Sequence, residues 1–74
     1  MIRELDTVVL DIDLPEHGLC RGDVGTVVLA HDASGYEVEF ATLDGSTIAV
    51  VSLANSEVRP IRSGEIAHAR LVPA

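Results

Sequence analysis

The stretch "YEVEFATLDGSTIAVVSL", Tyr36 to Leu53, decides the fold of this 74-residue chain. In its first half, apolar side chains alternate strictly with Glu37 and Glu39. This period of two is typical of a strand with one face in the core and the other in solvent. The Asp-Gly pair that begins at Asp44 suits a type I′ hairpin, and the residues from Thr47 onward then return as the neighbouring strand. The stretch therefore predicts an antiparallel sheet.

Outward from this hairpin, short β-branched segments alternate with turn residues. Three further strands are predicted, at Asp6–Ile12, Asp23–His31 and Val58–Ile61. The connections are a long loop, a hairpin turn and a 3-10 turn, at Asp13–Gly22, Asp32–Gly35 and Ala54–Glu57. This order predicts an all-β, SH3-like, partly open barrel of about five antiparallel strands with a 3-10 turn before the last strand. We expect the barrel to occupy residues 1–61, and residues 62–74 to form a C-terminal tail or a short helix.

The predicted core follows the apolar face of each strand. Its members are Val8, Leu10, Val27, Leu29, Tyr36, Val38, Phe40, Ile48, Val50 and Val58. In the almost wholly aliphatic strands, a shift of one residue in register exchanges the two faces. In the second strand, Gly25 predicts a bulge or the close approach of a neighbouring backbone, and Gly22 before it predicts a positive φ.

The charge of the chain indicates which class of partner to expect. The formal net charge is −7, and the only fixed cations are five arginines. Nucleic-acid binding needs clustered cations that neutralise phosphates, and the same negative field repels anionic membranes. We therefore expect a protein partner of basic character, and neither nucleic acid nor membrane. The 47% hydrophobic content predicts a folded domain with some exposed apolar surface, which leaves a homo-oligomer open.

The cell compartment is suggested by the single cysteine. Cys20 cannot form an internal disulfide, which favours a reducing compartment such as the bacterial cytoplasm. The first ten residues lack a signal-peptide pattern, because Glu4 and Asp6 interrupt the apolar run. No segment approaches the roughly 20 apolar residues of a membrane span. We expect a cytoplasmic protein.

His17 and Cys20 form an H-x-x-C pattern that raises the question of metal or thiol chemistry. A closed zinc site needs about four ligands, and His31 and His68 are too isolated to supply a second pair. A thiol nucleophile needs a base and an oxyanion hole, which a loop of so small a domain supports poorly. The acids in "DIDLPEHG" match only the opening of a calcium loop. We therefore expect no catalytic residues, no metal, no cofactor and no enzymatic activity.

Four segments of the sequence resemble a known protein family. The segments "ELDTVVLDIDLPEHGLCRGDVGTVV", "YEVEF", "DGSTIAVVSL" and "EVRPI" closely resemble a family of short bacterial proteins catalogued as domain of unknown function 4926. The resemblance covers Glu4 to about Ile61 and implies a small barrel. Because the family has no established activity, the resemblance assigns no catalytic residues to this chain. "GDVGTVV" also resembles the KOW segment of ribosomal and transcription-factor barrels. The strand order is similar to that of accessory barrels in electron transport, which work by docking.

These features lead to one function prediction and one alternative. The leading prediction is a non-enzymatic, acidic protein-interaction module that acts as an accessory or regulatory subunit or as an antitoxin-like partner. The residues predicted to bind the partner lie on the long loop and on the third strand and its turn: Glu16, His17, Arg21, Glu37, Glu39 and Asp44. The alternative is a KOW-like nucleic-acid-binding barrel, which requires Arg21, Arg59 and Arg62 to cluster on one face.

Overall fold

The computed structural model describes residues 1–73 and contains one antiparallel sheet of five strands. In chain order the strands are β1 Thr7–Leu10, β2 Val24–His31, β3 Gly35–Ala41, β4 Thr47–Leu53 and β5 Val58–Pro60. Two 3-10 turns lie at Pro15–His17 and Asn55–Glu57. The order across the sheet is β4-β3-β2-β1-β5, so β4 and β5 are its edges and the sheet is not closed. The predicted all-β class, with five antiparallel strands and a 3-10 turn before the last one, is confirmed.

One face of the sheet carries the hydrophobic core. Because no helix in residues 1–73 covers this face, the sheet must curl around it to exclude water. The predicted core residues that are buried are Val8, Leu10, Val27, Val38, Phe40 and Val58. Tyr36 and Ile48 are half-buried and pack against the same cluster. Local alternation therefore identifies most of the core.

The prediction that Leu29 is a core residue is wrong, because β2 contains a bulge. Val27 pairs with Val38, but the next pair joins Leu29 to Glu37, which leaves Val28 as an extra residue. An extra residue of this kind exchanges the faces of the residues that follow it. Leu29 therefore lies beside Glu37 on the outer face and is 44% exposed.

The predicted core position of Val50 is also wrong, because the pairing of β3 and β4 shifts at Ile48. Phe40 pairs with Ala49 and Ala41 with Thr47, which leaves Ile48 as an extra residue. Val50 pairs with Glu39, whereas Val51 pairs with the buried Val38. Val51 and Leu53 pack on the core, and Val50 is 53% exposed. Because β4 is almost uniformly aliphatic, only its pairing with β3 decides which residues face inward.

The turn between β3 and β4 differs from the predicted type I′ turn. Type I′ needs positive φ at both central residues, and within residues 42–46 only Gly45 has one, at 99°. Gly45 N–H donates to Thr42 O at 3.0 Å, and Thr42 N–H donates to Ser46 O at 2.8 Å. This pattern describes a longer loop in which the glycine alone takes the positive-φ position. The hairpin itself is present as predicted.

Gly25 allows β3 to approach β2 closely. A Cβ at this position would lie 2.7 Å from Val38 Cγ1 and 2.9 Å from Glu39 O. The close approach predicted for Gly25 is therefore present, and Gly22 has the predicted positive φ, 98°.

The chain after β5 crosses back toward the β1–β2 loop without regular structure. Residues 61–73 contain neither helix nor strand, and Ala74, at the end of the predicted tail, lies outside the described residues. Within residues 1–73, no helix has the length and apolar character that crossing a membrane requires.

Candidate protein-docking surface

The loop between β1 and β2 is compact. Leu14 N–H donates to Leu19 O at 2.9 Å and Leu19 N–H donates to Leu14 O at 3.1 Å, which closes a small ring around the 3-10 turn Pro15–His17. Both leucines are buried in the core cluster, although neither belongs to the predicted core. Gly18 ends the 3-10 turn with a φ of 68°, a left-handed conformation that glycine adopts without strain. The loop is therefore anchored to the core of the sheet.

The three loop residues of the predicted site lie on the solvent side of this ring. Glu16 and His17 are exposed on the 3-10 turn. Arg21 Nε donates to Asp11 Oδ1 at 3.1 Å, and Arg21 N–H donates to Asp13 Oδ1 at 2.9 Å. The loop thus offers Glu16 and His17 to solvent and holds Arg21 against its own carboxylates.

Glu37 and Glu39 lie on the outer face of β3, as the alternation predicts. Ser52 Oγ donates to both carboxylate oxygens of Glu37 at 2.7 Å, and His31 Nε2 lies 2.8 Å from Glu37 Oε2. Thr47 Oγ1 donates to Glu39 Oε2 at 2.6 Å. These contacts orient both carboxylates over the sheet.

The contacts of Glu37 also stabilise its charged form. Its pKa lies below the ordinary value of 4.5, chiefly because Ser52 donates to the carboxylate. The hydrogen bond to His31 lowers the pKa further, against a smaller opposing effect of desolvation. Glu37 is therefore a fixed negative charge at neutral pH.

Two exposed aliphatic side chains flank these carboxylates. Leu29 lies opposite Glu37 on β2, and Val50 lies opposite Glu39 on β4. Residues directly opposite in an antiparallel pair point to the same face. Together the four residues Leu29, Glu37, Glu39 and Val50 form one surface, the outer-face patch.

Asp44 lies in the β3–β4 turn and accepts a hydrogen bond from Thr42 Oγ1. This turn and the β1–β2 loop leave the same end of the sheet, because β1 and β3 are both antiparallel to β2. The outer-face patch lies on the face of the sheet between its two ends.

The predicted site residues therefore divide into separate groups. Glu37 and Glu39 share the outer-face patch, whereas Asp44 belongs to the turn. Glu16, His17 and Arg21 belong to the β1–β2 loop. Within residues 1–73, no hydrogen bond or ion pair joins these loop residues to the carboxylates of β3 or its turn.

The arginines of the nucleic-acid alternative lie beside carboxylates. Arg59 Nη2 donates to Glu65 Oε2 at 2.6 Å and its Nη1 to Oε1 at 3.1 Å. Arg62 N–H donates to Glu65 Oε1 at 2.6 Å. The hydrogen bonds to Glu65, and more weakly the charge of Asp11, raise the pKa of Arg59. Since Asp11 also pairs with Arg21, these arginines alternate with acids.

The Arg59 contact has a strong effect on Glu65. The pKa of Glu65 falls from its ordinary value of 4.5 to about 2. The hydrogen bonds from the Arg59 side chain are the main cause, followed by the N–H of Arg62, and both favour the carboxylate over the carboxylic acid. The start of the tail is thus attached to β5 by a charged contact.

His17 and Cys20, the residues of the H-x-x-C pattern, both lie in the β1–β2 loop. Cys20 is exposed, and its backbone N–H donates to Asp23 Oδ2 at 2.8 Å. His17 lies on the exposed 3-10 turn. In the part of the chain that the structure describes, no three His, Cys, Asp or Glu side chains are grouped so as to hold a metal ion.

Asp23 also binds Arg70 of the tail. Arg70 Nε donates to Asp23 Oδ1 at 2.9 Å, and Nη2 donates both to Asp23 Oδ2 and, at 3.1 Å, to Gly18 O. Partial burial alone would raise the pKa of Asp23. The hydrogen bonds from Arg70 and from Cys20 N–H, with the charge of Arg70, together bring that pKa below its ordinary value of 3.8.

The comparison with family models identifies the family. The model described as Domain of unknown function (DUF4926) matches residues 4–60. The chain belongs to this family. Comparisons with curated proteins and with solved structures gave no match. The DUF4926 match ends at Pro60, the last residue of β5, so it contains all five strands and the β1–β2 loop. Residues 61–73 of the tail lie beyond it.

Two features of the candidate surface have no signal in the sequence that predicts them. Leu29 and Val50 are predicted as core, because neither the bulge nor the register of β4 has a local signal. Asp23 and Arg70 are 47 residues apart, and no periodicity relates them. The sequence offers one signal, the position of Arg70 in residues 66–74, where all other residues except His68 are apolar, and this signal identifies no partner.

Proposed function

We propose that this DUF4926 protein is a non-enzymatic interaction module that binds a basic protein partner. It acts as an accessory or regulatory subunit, or as an antitoxin-like partner that covers a basic surface. The observation that carries the proposal is the outer-face patch, in which Glu37 and Glu39 lie beside the exposed side chains of Leu29 and Val50.

The patch combines the two components of a specific interface. Leu29 and Val50 offer apolar surface that a partner can remove from water. Glu37 and Glu39 offer acceptors for arginine or lysine, and arginine can engage a carboxylate with two hydrogen bonds. Because β-strand neighbours already orient both carboxylates, they lose little conformational entropy on binding.

The charge distribution favours a basic protein over nucleic acid. The net charge of −7 attracts a basic partner and accelerates its association. Arg21 and Arg59, which nucleic-acid binding would need, are paired with Asp11 and Glu65. A phosphate backbone would have to displace these acids against the net field.

The remaining predicted residues are proposed as peripheral contacts. These are Glu16, His17 and Arg21 on the β1–β2 loop and Asp44 on the β3–β4 turn, which lie at one end of the sheet. A partner that covers the outer-face patch and extends toward this end would reach both the loop and the turn. Peripheral charges of this kind change the association rate more than the dissociation rate.

The experiment starts from the full-length protein, immobilised and exposed to an extract of the cells that produce it. We expect one basic protein to be retained in stoichiometric amount and released by salt. Its dissociation constant is then measured for the wild type and for Glu37→Gln/Glu39→Gln. We expect this variant to bind about tenfold or more weakly, since two interfacial carboxylates are lost.

A charge-matched control is Asp6→Asn/Glu57→Gln, which removes two acids whose side chains accept from Arg3 N–H and Ala54 N–H and from no residue of the outer-face patch. It should bind nearly as well as the wild type. Absence of a stoichiometric partner, or equal weakening by both double variants, contradicts the proposal. Retention of RNA or DNA in a low-salt filter-binding assay would instead support the KOW-like alternative.

A further inference from the structure

The contact between the tail and the β1–β2 loop has the form of a recognition site for arginine. Arg70 presents Nε and Nη2 to the two carboxylate oxygens of Asp23, and Nη2 also donates to Gly18 O. Three acceptors thus surround one guanidinium group. Bidentate pairing of this kind selects arginine over lysine, because only the planar fork matches both oxygens.

The acceptors of this site are positioned by contacts that do not involve the tail. Cys20 N–H donates to Asp23 Oδ2 at 2.8 Å, and Asp23 N–H donates to Cys20 O at 3.0 Å. The reciprocal hydrogen bonds of Leu14 and Leu19 fix the loop that carries Gly18 O. The site is therefore already assembled when the tail is elsewhere.

A second, apolar contact lies three residues after the arginine. Pro73 borders a depression of about 420 Å³ on the loop, lined also by Asp13, Pro15, Gly18, Leu19 and Cys20. Val72 lies directly over Gly18, where an added Cβ would be 3.5 Å from Val72 Cγ1. The loop thus contacts both ends of the segment "RLVP", the arginine through charge and the proline through apolar packing.

We propose that this loop site binds an extended, arginine-containing segment of a protein partner, and that residues 70–73 occupy it in the free protein. The inference rests on the proposed function, because it specifies how the basic partner is held. A basic partner is favoured over a second copy of this chain, since two copies each carrying a net charge of −7 repel one another.

The weak attachment of the tail allows a partner segment to replace it in the loop site. Ile66 and Leu71 are 92% and 93% exposed, so the tail is held mainly by its polar contacts and by the small contact of Val72 and Pro73. As a tethered segment it competes at an effective concentration on the order of millimolar. A partner must therefore displace it, and partner binding is coupled to release of the tail.

The test is an NMR titration of the full-length protein with an acetylated and amidated peptide of sequence IAHARLVP, which copies residues 66–73. In Arg70→Gln the site is vacant, and we expect the peptide to shift the amide signals of Cys20 and Asp23. In the wild type the tethered tail competes, so we expect binding to be about tenfold weaker. A peptide with glutamine in place of arginine should bind neither protein.

Asp23→Asn/Arg70→Gln is the matched control. An asparagine Oδ1 still accepts from Cys20 N–H, but the negative charge of Asp23 is lost. The amide spectrum of this variant tests whether the loop remains folded. The variant should not bind the peptide. Equal binding to this variant, to the wild type or with the glutamine peptide overturns the proposal. So does a wild-type dimer in light scattering that Arg70→Gln abolishes, which would make a second copy the occupant.

The titration uses no natural partner and changes no residue of the outer-face patch. A negative result here would therefore leave the capture experiment as the independent test of the proposed function. In the same way, loss of that function would not alter peptide binding at Asp23.

Discussion

Arg70 in the tail and Asp23 just before β2 are joined by two side-chain hydrogen bonds across 47 residues of chain. A second charged contact, between Arg59 and Glu65, holds the start of the same tail. Between these two contacts the tail is exposed and has no regular structure. Its position on the sheet therefore depends mainly on two ion pairs, together with the small apolar contact of Val72 and Pro73.

Loss of the Arg70 contact should release the tail. In Arg70→Gln we expect faster picosecond-to-nanosecond motion of residues 66–73, because these residues lose their attachment to the loop. The {¹H}–¹⁵N heteronuclear NOE of these amides should fall, while the values in β1 to β5 stay unchanged. The free energy of unfolding should change little, because the pair is at the surface.

Arg62→Gln is the matched control for this experiment. It removes the same charge, but in residues 1–73 the Arg62 contact is made by its backbone N–H, which glutamine retains. We expect its tail to stay as ordered as in the wild type. Equal loss of order in both variants would show that overall charge, not the pairing with Asp23, holds the tail.

The titration of Glu65 gives a prediction about pH. Its pKa in the folded protein, about 2, lies below the ordinary value of 4.5. A lowered pKa means that the contact with Arg59 stabilises the folded state fully above pH 4.5 and is lost as the pH falls toward 2. A ¹³C NMR titration of the Glu65 side-chain carboxyl should therefore have a midpoint near 2.

In Arg59→Gln the same carboxyl should titrate closer to its ordinary value, because the main cause of the shift is removed. Arg62→Gln keeps the backbone donor and should change the midpoint less. A midpoint that is unchanged in Arg59→Gln would mean that the Arg59 guanidinium does not bind Glu65 in solution.

The sequence predicts the strands well because their signals are local. The alternation around Glu37 and Glu39 and the turn residues after β2 and β3 act within a few positions, and all five strands form. The outward direction of these two carboxylates follows from the same alternation. The charged half of the outer-face patch could therefore be predicted.

The apolar half of that patch could not. Leu29 changes face because one extra residue, Val28, fits into β2, and nothing in a run of aliphatics marks that position. Val50 faces outward because the pairing of β4 with β3 shifts by one residue at Ile48, and nothing in an aliphatic run marks that shift. The pairing of Asp23 with Arg70 depends on where the tail crosses the folded barrel, which only the tertiary structure determines.

The bulge in β2 can be tested by comparing the same substitution, leucine to alanine, on the two faces of the sheet. Leu10→Ala should lower the free energy of unfolding by about 2–5 kcal/mol, because Leu10 is fully buried and its removal leaves a cavity. Leu29→Ala should change it by only about 0.5 kcal/mol, because Leu29 lies on the outer face. Urea denaturation of the two variants measures both values. A large loss in Leu29→Ala would place Leu29 in the core and remove the bulge.

The approach of β3 to Gly25 predicts a destabilising substitution with a specific rescue. Gly25→Ala should cost about 1–3 kcal/mol, because its Cβ would lie 2.7 Å from Val38 Cγ1 and 2.9 Å from Glu39 O. Val38→Ala removes the first of these contacts, so the double variant should be more stable than the sum of the two single losses predicts. Urea denaturation of all four proteins gives the coupling energy. Strict additivity would show that Gly25 and Val38 do not compete for the same space, and the cost of Gly25→Ala would then come from Glu39 O and Phe40 Cε1, each 2.9 Å from the added Cβ.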